Sequence, residues 1–599
     1  MASVTTTGKE TARLTPRARW AIERASDAFE RLLGPEGYAP CPEHGLDYTG
    51  KTARAIVLNC ALAADAENDS YLDRAVRVAR TIIGRLGQDD GADGAWVFNP
   101  NRREPHHVST RLVDCGESVD ALATLLEAAG DRLPDIDRAR IEEAIRLCAA
   151  TYLLPTVPGA PIISERLCGA MGLAGAAAVL DEPGWADTVR EAVAGALGEM
   201  RPDGSFPHVT DAAAVAGHEG LSDLTICDHG RILAFARYAL TRIGDGGSHA
   251  DELRQGVDFL IDVLRPDGVK PLALDGRRWC WDADTEAGSA PYDAYALATD
   301  GRPAALRLAG IVAARSAQTL GPDGLVDACP IGATAVSRIA NTADLGWLAR
   351  AHASAELDDL PTNPPPPKPA PPLHHADAGV VRLQTRRACA ILRVRKQPAS
   401  GLVGARIGGG GLVYVGDAER GWANALEHVC EPWMPEGAWF IHSTTQPGRV
   451  SLDADARFRL RLARMHWRAG RRWYALRMLY RFLGPPAWAA AGQFASIHAL
   501  DGEVTLEADG VLIASCLARA DGQPHPALRT ERRYRWNGDR LLVSDAVSVA
   551  HPITGLAYRY PKAVEWFEVE APTSWRVADN QVYFGPLGAE VTASIRYEI

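Results

Sequence analysis

Two short phrases hold the side chains best suited to moving protons. "TICDHGRILAFARYAL" (225–240) places His229 and Arg231 at the head of an apolar run with helical spacing, and "SAPYDAY" (289–295) does the same for Tyr292 and Tyr295. An imidazole or a phenol can give or take a proton, and a planar guanidinium can hold a carboxylate or a sulfate. Helix capping accounts for none of these four, because caps are small polar residues. Asp114, Ser164, Asp228 and Asn341 do stand where N-caps belong, and Glu117 completes a capping-box spacing with Asp114.

Further polar and aromatic groups lie in the segments leading to these helix starts. "WVFNPNRREPHHVSTR" (96–111) carries Trp96, Arg102, Arg103, His107 and Arg111; "FPHVTDAAAVAGHEGLSD" (206–223) carries His218; "DGRRWCWDADTEAGSAPY" (275–292) carries Trp279 and Trp281. Indole faces suit sugar rings and guanidinium forks suit carboxylates or sulfates, so together they describe a groove for an anionic oligomer of rings. No HxH or HExxH accompanies the His106-His107 or His374-His375 pairs, so no metal is expected. The glycines of "ARIGGGGLVYVG" (405–416) open a strand and lack a following GK[ST], which removes a phosphate loop, and no GxSxG is present. No cofactor is implied.

The elements that must position these residues are marked by a recurring phrase: "GPEG" (34–37), "RPDG" (201–204), "RPDG" (265–268) and "GPDG" (321–324), with looser copies at 89–94 and 155–159. An amphipathic helix precedes each copy; an irregular stretch and a helix of small and apolar residues follow it. Pro stops the first helix and Gly takes the left-handed turn. Six such hairpins predict an (α/α)6 toroid over 1–359 whose less polar inner helices converge on one rim. Their first turns supply Lys51, Asp114, Glu117, Arg166, Asp228, His229, Arg231, Tyr292, Asp293, Asn341 and Asp344.

The proline run at 360–378 reads as a stiff linker, and 379–599 as an antiparallel β-sandwich with hairpin signals such as Asn537-Gly538, giving an α+β multidomain chain. The Arg-rich "RFRLRLARMHWRAGRRWYALRMLYR" (457–481) reads as an alternating strand. A formal charge of −11 argues against a nucleic-acid surface, and eleven scattered Cys without a CxxC argue against a disulfide framework. No apolar stretch near 18 residues and no signal-like N-terminus stand out, so the expected address is cytoplasmic, away from the membrane.

In layout the chain resembles the heparinase II/III-like polysaccharide lyases, in which an α/α toroid precedes a β-sandwich with the active site between them. "MRPDGSFPH" followed by "TICDHGRILAFARYAL" is similar to the family's Asp-Gly-Ser turn and the helix carrying its catalytic His, and that match falls on His229. "SAPYDAY" offers Tyr292 for the family's catalytic Tyr, with Tyr295 in reserve. "LHHADAGVVRLQTRRACAILRV" and "RTERRYRWNGDRLLVSDAV" resemble strands of its sandwich. Where the family has a His-Gly-His-Ala-Asp segment, this chain reads "ASGLVGARIGGGGLVYVGD", so its structural metal is not carried over, and Tyr414, Arg406, His428 or His442 fills that space. The resemblance implies β-elimination on a uronate-containing glycan. Tyr292 is then base or acid and His229 its partner, while Arg231 or a loop Arg, with Glu117 or Asn341, neutralises the substrate carboxylate. Two other readings stay open: a glycoside hydrolase using Glu117 with Asp228 or Asp293, and a sugar-binding protein without catalysis.

Overall fold

The computed structural model describes residues 14–33, 49–66, 68–86, 111–210, 224–274, 282–328, 335–357, 368–396, 407–422, 436–441, 493–519, 522–562, 564 and 566–599, with eight scattered positions between 463 and 479. Helices fill its first part: α1 (Pro16–Leu32), α2 (Thr49–Ala66), α3 (Asp69–Ile83), α4 (Arg111–Ala129), α5 (Asp135–Cys148), the single turn α6 (Leu154–Thr156), α7 (Ile163–Leu180), α8 (Pro183–Gly198), α9 (His229–Arg242), α10 (Ala250–Val263), α11 (Asp282–Asp300), α12 (Pro303–Gln318), α13 (Ala335–Asp344) and α14 (Gly346–Ser354).

Two kinds of helix alternate. α1, α3 and α10 bury one stripe each, whereas α2 and α7 are buried almost all round. The buried helices pack in sequence, α2 on α4, α4 on α7, α7 on α9, α9 on α11 and α11 on α13 and α14, which return onto α2. Small residues set the spacing: a Cβ on Gly172 would stand 2.7 Å from the Cα of Gly116, and one on Gly116 only 2.4 Å from the Cys168 carbonyl oxygen. α7 is 18 residues long with a mean hydropathy of 1.3, enough to cross a bilayer by length and composition, yet 72% of it is buried among its neighbours. The sequence reading overlooked this stretch, which owes its apolarity to its place inside the helix ring.

The repeated phrase acquires a physical reason. Gly204, Gly268 and Gly324 all have positive φ (84°, 78° and 80°), and Asp203, Asp267 and Asp323 each accept the amide two residues on. Each glycine also lies against another outer helix, where a Cβ would meet Gln255 of α10, Val312 of α12 or Arg24 of α1. The turns therefore stop one helix and seat the chain on the next. The copy at 155–159 departs from this pattern, with helix and turn but no left-handed glycine, and those at 34–37 and 89–94 lie outside the described residues.

The remaining described elements are strands: β1 (Ala370–His375), β2 (Val380–Gln384), β3 (Ala388–Arg393), β4 (Gly411–Asp417), β5 (Ala438–Ile441), β6 (Glu503–Leu506), β7 (Gly510–Ala518), β8 (Pro524–Asn537), β9 (Arg540–Val549), β10 (Leu556–Arg559), β11 (Phe567–Glu570), β12 (Trp575–Ala578), β13 (Gln581–Phe584) and β14 (Val591–Glu598). They form antiparallel sheets in the orders β1-β2-β3-β4, β12-β13-β10-β5 and β11-β14-β9-β8-β7-β6. One apolar core draws on all three, from Leu383 and Leu392 through Trp439 and Tyr558 to Val543 and Ile595.

In two places the structure departs from the sequence pattern. About a third of the supposed linker is β1, which pairs with β2 from Ala370↔Gln384 to His375↔Val380; its prolines are tolerated because β1 is a sheet edge. The described positions of the Arg-rich stretch, including Ala463, Trp467, Trp473 and Leu476, are helical, in keeping with its wealth of Arg, Leu, Ala and Met.

Candidate functional site

Three of the four expected caps lie inside helices. α4 begins at Arg111 and α7 at Ile163, so Asp114 and Ser164 lie inside their helices, and Asn341 lies near the end of α13. Asp228 does occupy the N-cap of α9, but its carboxylate makes no capping bond; it takes Arg231 at 3.1 Å and His208 at 3.4 Å. α11 starts eight residues before Ala290 and runs through Pro291, which places Tyr292 in mid-helix.

What gathers at this end of the ring is a buried charge cluster. Lys51, in the first turn of α2, reaches Glu117 of α4 at 2.8 Å and Asp344 of α13 at 3.0 Å. The Tyr292 hydroxyl donates to the same Asp344 oxygen at 2.8 Å, and Arg231 approaches the other oxygen at 3.5 Å. Arg231 also lies over the Tyr292 ring, 5.0 Å from its centre, and donates to the Gly288 carbonyl. Asn341 abuts Gly288, where a Cβ would meet its amide oxygen at 2.2 Å. Behind Lys51, Arg54 pairs with Asp120 at 3.2 Å, and Asp120 with Arg350 at 2.7 Å. The four cations Lys51, Arg54, Arg231 and Arg350 thus face Glu117, Asp120, Asp228 and Asp344, so the desolvated charges are matched.

Trp347 of α14 plugs the ring beneath the cluster. It is fully buried, 5.1 Å from both Tyr292 and Tyr295 and 5.4 Å from Phe235, with Arg350 over its ring at 4.7 Å. Burial pushes the phenols of Tyr292 and Tyr295 well above the ordinary value. For Tyr292 the Asp344 carboxylate adds to this, and Lys51, Arg54 and Arg231 pull the other way.

Of the residues singled out from sequence, Tyr292, Arg231, Glu117 and Asn341 come together. His229 points elsewhere: its Nε2 donates to the Gly256 carbonyl of α10 at 2.8 Å, between the rings of Phe206 and Phe259, and burial lowers its pKa to about 4. Tyr295 sits deeper in the ring against Trp347 and Tyr238. Tyr414 belongs to β4, donates to the Trp422 carbonyl at 3.0 Å and lies under Arg265 of the helical part. Arg111 opens α4, its side chain outside the described residues, as are Trp96, Arg102, Arg103, His107, His218, Trp279 and Trp281.

Lys51 and Asp344, which bind the cluster together, stood among the polar helix starts, but spacing gave no sign that one ammonium would serve two distant carboxylates. Asp293, offered from sequence as a hydrolase carboxylate, belongs to a second buried set, in which it pairs with Lys270 at 2.9 Å and Glu286 accepts from Arg315. No group of His, Cys, Asp and Glu among the described residues has a metal-binding arrangement.

No known family's sequence signature matches the chain, and no curated protein matches it. Solved structures resemble it in shape. A chondroitin AC lyase from Streptomyces coelicolor, solved with chondroitin sulphate, aligns at 11% identity over 100% of this chain and 78% of its own, with a TM-score of 0.48. A heparinase III aligns at 10% identity over 99% and 85%, with a TM-score of 0.43. A Salegentibacter alpha-1,6-mannanase aligns at 12% identity over 56% and 99%, with a TM-score of 0.40.

Proposed function

We propose that the chain is a carbohydrate-active enzyme, a lyase that cleaves uronate-containing oligo- or polysaccharides by β-elimination at the Lys51–Glu117–Tyr292 end of an α/α toroid backed by a β-sandwich. The observation that carries this reading is the setting of the Tyr292 hydroxyl, which meets Lys51 on one Asp344 oxygen while Arg231 covers its ring.

Elimination requires that the uronate carboxylate be neutralised, that the C5 proton be taken and that the departing O4 be protonated. Lys51 and Arg231 suit the first task. Glu117 suits the second, because its Oε2 finds no hydrogen-bond partner among the described residues. Tyr292 suits the third, since burial keeps the phenol protonated and the three cations stabilise the phenolate left after transfer. Glu117 takes the proton, the C5–H electrons become the C4=C5 double bond, the C4–O4 bond breaks and O4 receives the Tyr292 proton. Transfer from Glu117 back to Tyr292 restores the site. His229 fits a positioning role, bracing α9 against α10.

The decisive assay follows the ultraviolet band of the conjugated C4=C5 product while the protein is incubated with a panel of uronate oligosaccharides, beside a reducing-end assay. A band that grows with wild type and is lost in Tyr292→Phe is expected. A second reading, glycoside hydrolysis, is favoured by one geometric fact: Glu117 and Asp344 reach the same nitrogen at 2.8 and 3.0 Å. Their oxygens are thus at most about 6 Å apart, a bound that admits the separation of a retaining pair. New reducing ends without the ultraviolet band would select it.

A further inference from the structure

Asp344 differs from the other acids of the cluster in where it stands. Glu117 and Asp120 lie within α4, but Asp344 is the last residue of α13, followed by the turn at Leu345 and by α14 from Gly346. Its carboxylate collects donors from three other helices: the Lys51 ammonium of α2, the Arg231 guanidinium of α9 and the Tyr292 hydroxyl of α11. Lys51 and Arg231 both sit in first turns, where the positive ends of α2 and α9 add to the attraction for an anion. These donors surround one carboxylate as a receptor would.

Exposure within the cluster is uneven. The Lys51 and Asp344 side chains are 5% and 2% exposed, whereas that of Arg231 is 18% exposed. Its Nε, buried and without an acceptor among the described residues, is a spare donor in the same cluster. A uronate offers such a site a carboxylate for Lys51 and Arg231, an O4 for the Tyr292 hydroxyl that Asp344 now holds, and a ring hydroxyl for Arg231 Nε.

We propose that Asp344 stands in for the carboxylate of an acidic sugar: in this closed form it occupies a carboxylate site built by Lys51, Arg231 and Tyr292, and it yields that site to the ligand by swinging out at the α13–α14 break. This rests on the reading of the site as uronate-binding and adds that the resting protein inhibits itself through its own side chain.

The test is rescue by an added anion. Thermal unfolding of the full chain is measured for wild type, Asp344→Ala and Asp344→Ala/Lys51→Met in sodium chloride and in sodium formate at equal ionic strength. Asp344→Ala is expected to unfold below wild type in chloride and to regain much of the loss in formate, saturably, while wild type and the double variant show no preference for formate. Equal formate effects on wild type and Asp344→Ala would overturn the proposal.

Should Asp344→Ala fail to fold, Asp344→Asn, which keeps the volume and drops the charge, is titrated calorimetrically with glucuronate and with glucose. Removing the competing internal anion is expected to tighten glucuronate binding about tenfold or more over wild type, with glucose unaffected. Equal glucuronate affinity in the two proteins would overturn it. Rescue together with a silent ultraviolet assay would leave the carboxylate site and remove elimination; the ultraviolet band without rescue would do the reverse.

Discussion

At the scale of single residues, the site depends on buried charges that cannot be removed one at a time. Lys51 is the nearest cation to both Glu117 and Asp344, whose other cations, Arg54 and Arg231, stand at 3.6 and 3.5 Å, so Lys51→Met leaves two buried carboxylates with only their more distant partners. A loss of about 3–5 kcal/mol is expected in urea unfolding. A loss below about 1 kcal/mol, the range of exposed pairs, would mean that water reaches the cluster. His229 gives a pH signature. Folded, it titrates near 4; unfolded, near the ordinary 6.5. Between those values only the unfolded chain takes up the proton, so His229 makes stability fall by about 3 kcal/mol as pH drops through that window. Asp293, pushed up to about 6 by burial, binds a proton in the folded state first and opposes this slope. The comparison of wild type with His229→Gln isolates the histidine: the variant's stability is expected to fall less between pH 6.5 and 4, and parallel curves would refute the neutral buried imidazole. Sequence showed which polar residues open the inner helices. It did not show their partners, because Lys51, Glu117 and Asp344 are separated by 66 and 227 residues and meet only when the ring closes. The capping motif misled for a related reason, since the carboxylates of Asp228 and Glu117 find cations stronger partners than a backbone amide.

At the scale of elements, the repeated Pro-x-Gly turn was legible because its chemistry is local: an Asp side chain closing on the backbone and a glycine at positive φ. Helix starts were less so. The run around Tyr292 suggested a beginning, yet α11 starts at Asp282, ten positions upstream, and holds Pro291 in its interior. The Arg-rich stretch suggested a strand because charge and apolarity alternate there, but helix propensity prevails at its described positions. Packing between inner helices obeys tight limits that a composition cannot reveal. A Cβ on Gly230 of α9 would lie 1.8 Å from the Asp293 carboxylate of α11, so Gly230→Ala must either part the two helices or break the fully buried Lys270–Asp293 pair. Trp347 sets the opposite requirement, that of a large ring filling the bore. Trp347→Ala is expected to cost about 3–5 kcal/mol through the cavity it opens. It should also release Tyr292, whose ring leans on the indole at 5.1 Å, so loss of the proposed activity would exceed what the fall in stability explains. Activity tracking the folded fraction alone, measured by circular dichroism at each temperature, would show that the indole supports the fold and nothing more.

At the scale of the whole molecule, sequence located the change from helix to strand near the proline run but could not tell how the two parts meet. They meet through a shared apolar cluster, in which Ile226, Phe259 and Val263 of the helical part pack with Val380, Ile391 and Tyr414 of β2, β3 and β4. Polar contacts pin its edge. Asp203, from the second copy of the repeated turn, accepts the Ala378 amide at 2.7 Å, and Arg265 donates to the Trp422 carbonyl at 2.7 Å. The most telling contact is Arg382 of β2. One of its guanidinium nitrogens donates to the carbonyls of Ile261, Asp262 and Leu264, at 3.0, 2.7 and 2.8 Å. The first two are among the last carbonyls of α10, the ones a helix leaves unpaired, and the third belongs to its C-cap; a cation there also meets the negative end of the helix dipole. A helix of one part is therefore capped by a strand of the other, which no local pattern in either segment announces. Because α10 braces α9 through the His229–Gly256 bond, the cap reaches toward the charge cluster. Arg382→Met keeps much of the apolar stem and removes the donors. Amide exchange in the last turn of α10 is expected to accelerate by roughly 10- to 100-fold, the equivalent of about 1–3 kcal/mol for stranded carbonyls, while exchange in α3 and α5 stays unchanged. Acceleration confined to β2 would mean that α10 closes its own end, and the two parts would then be joined by apolar packing alone.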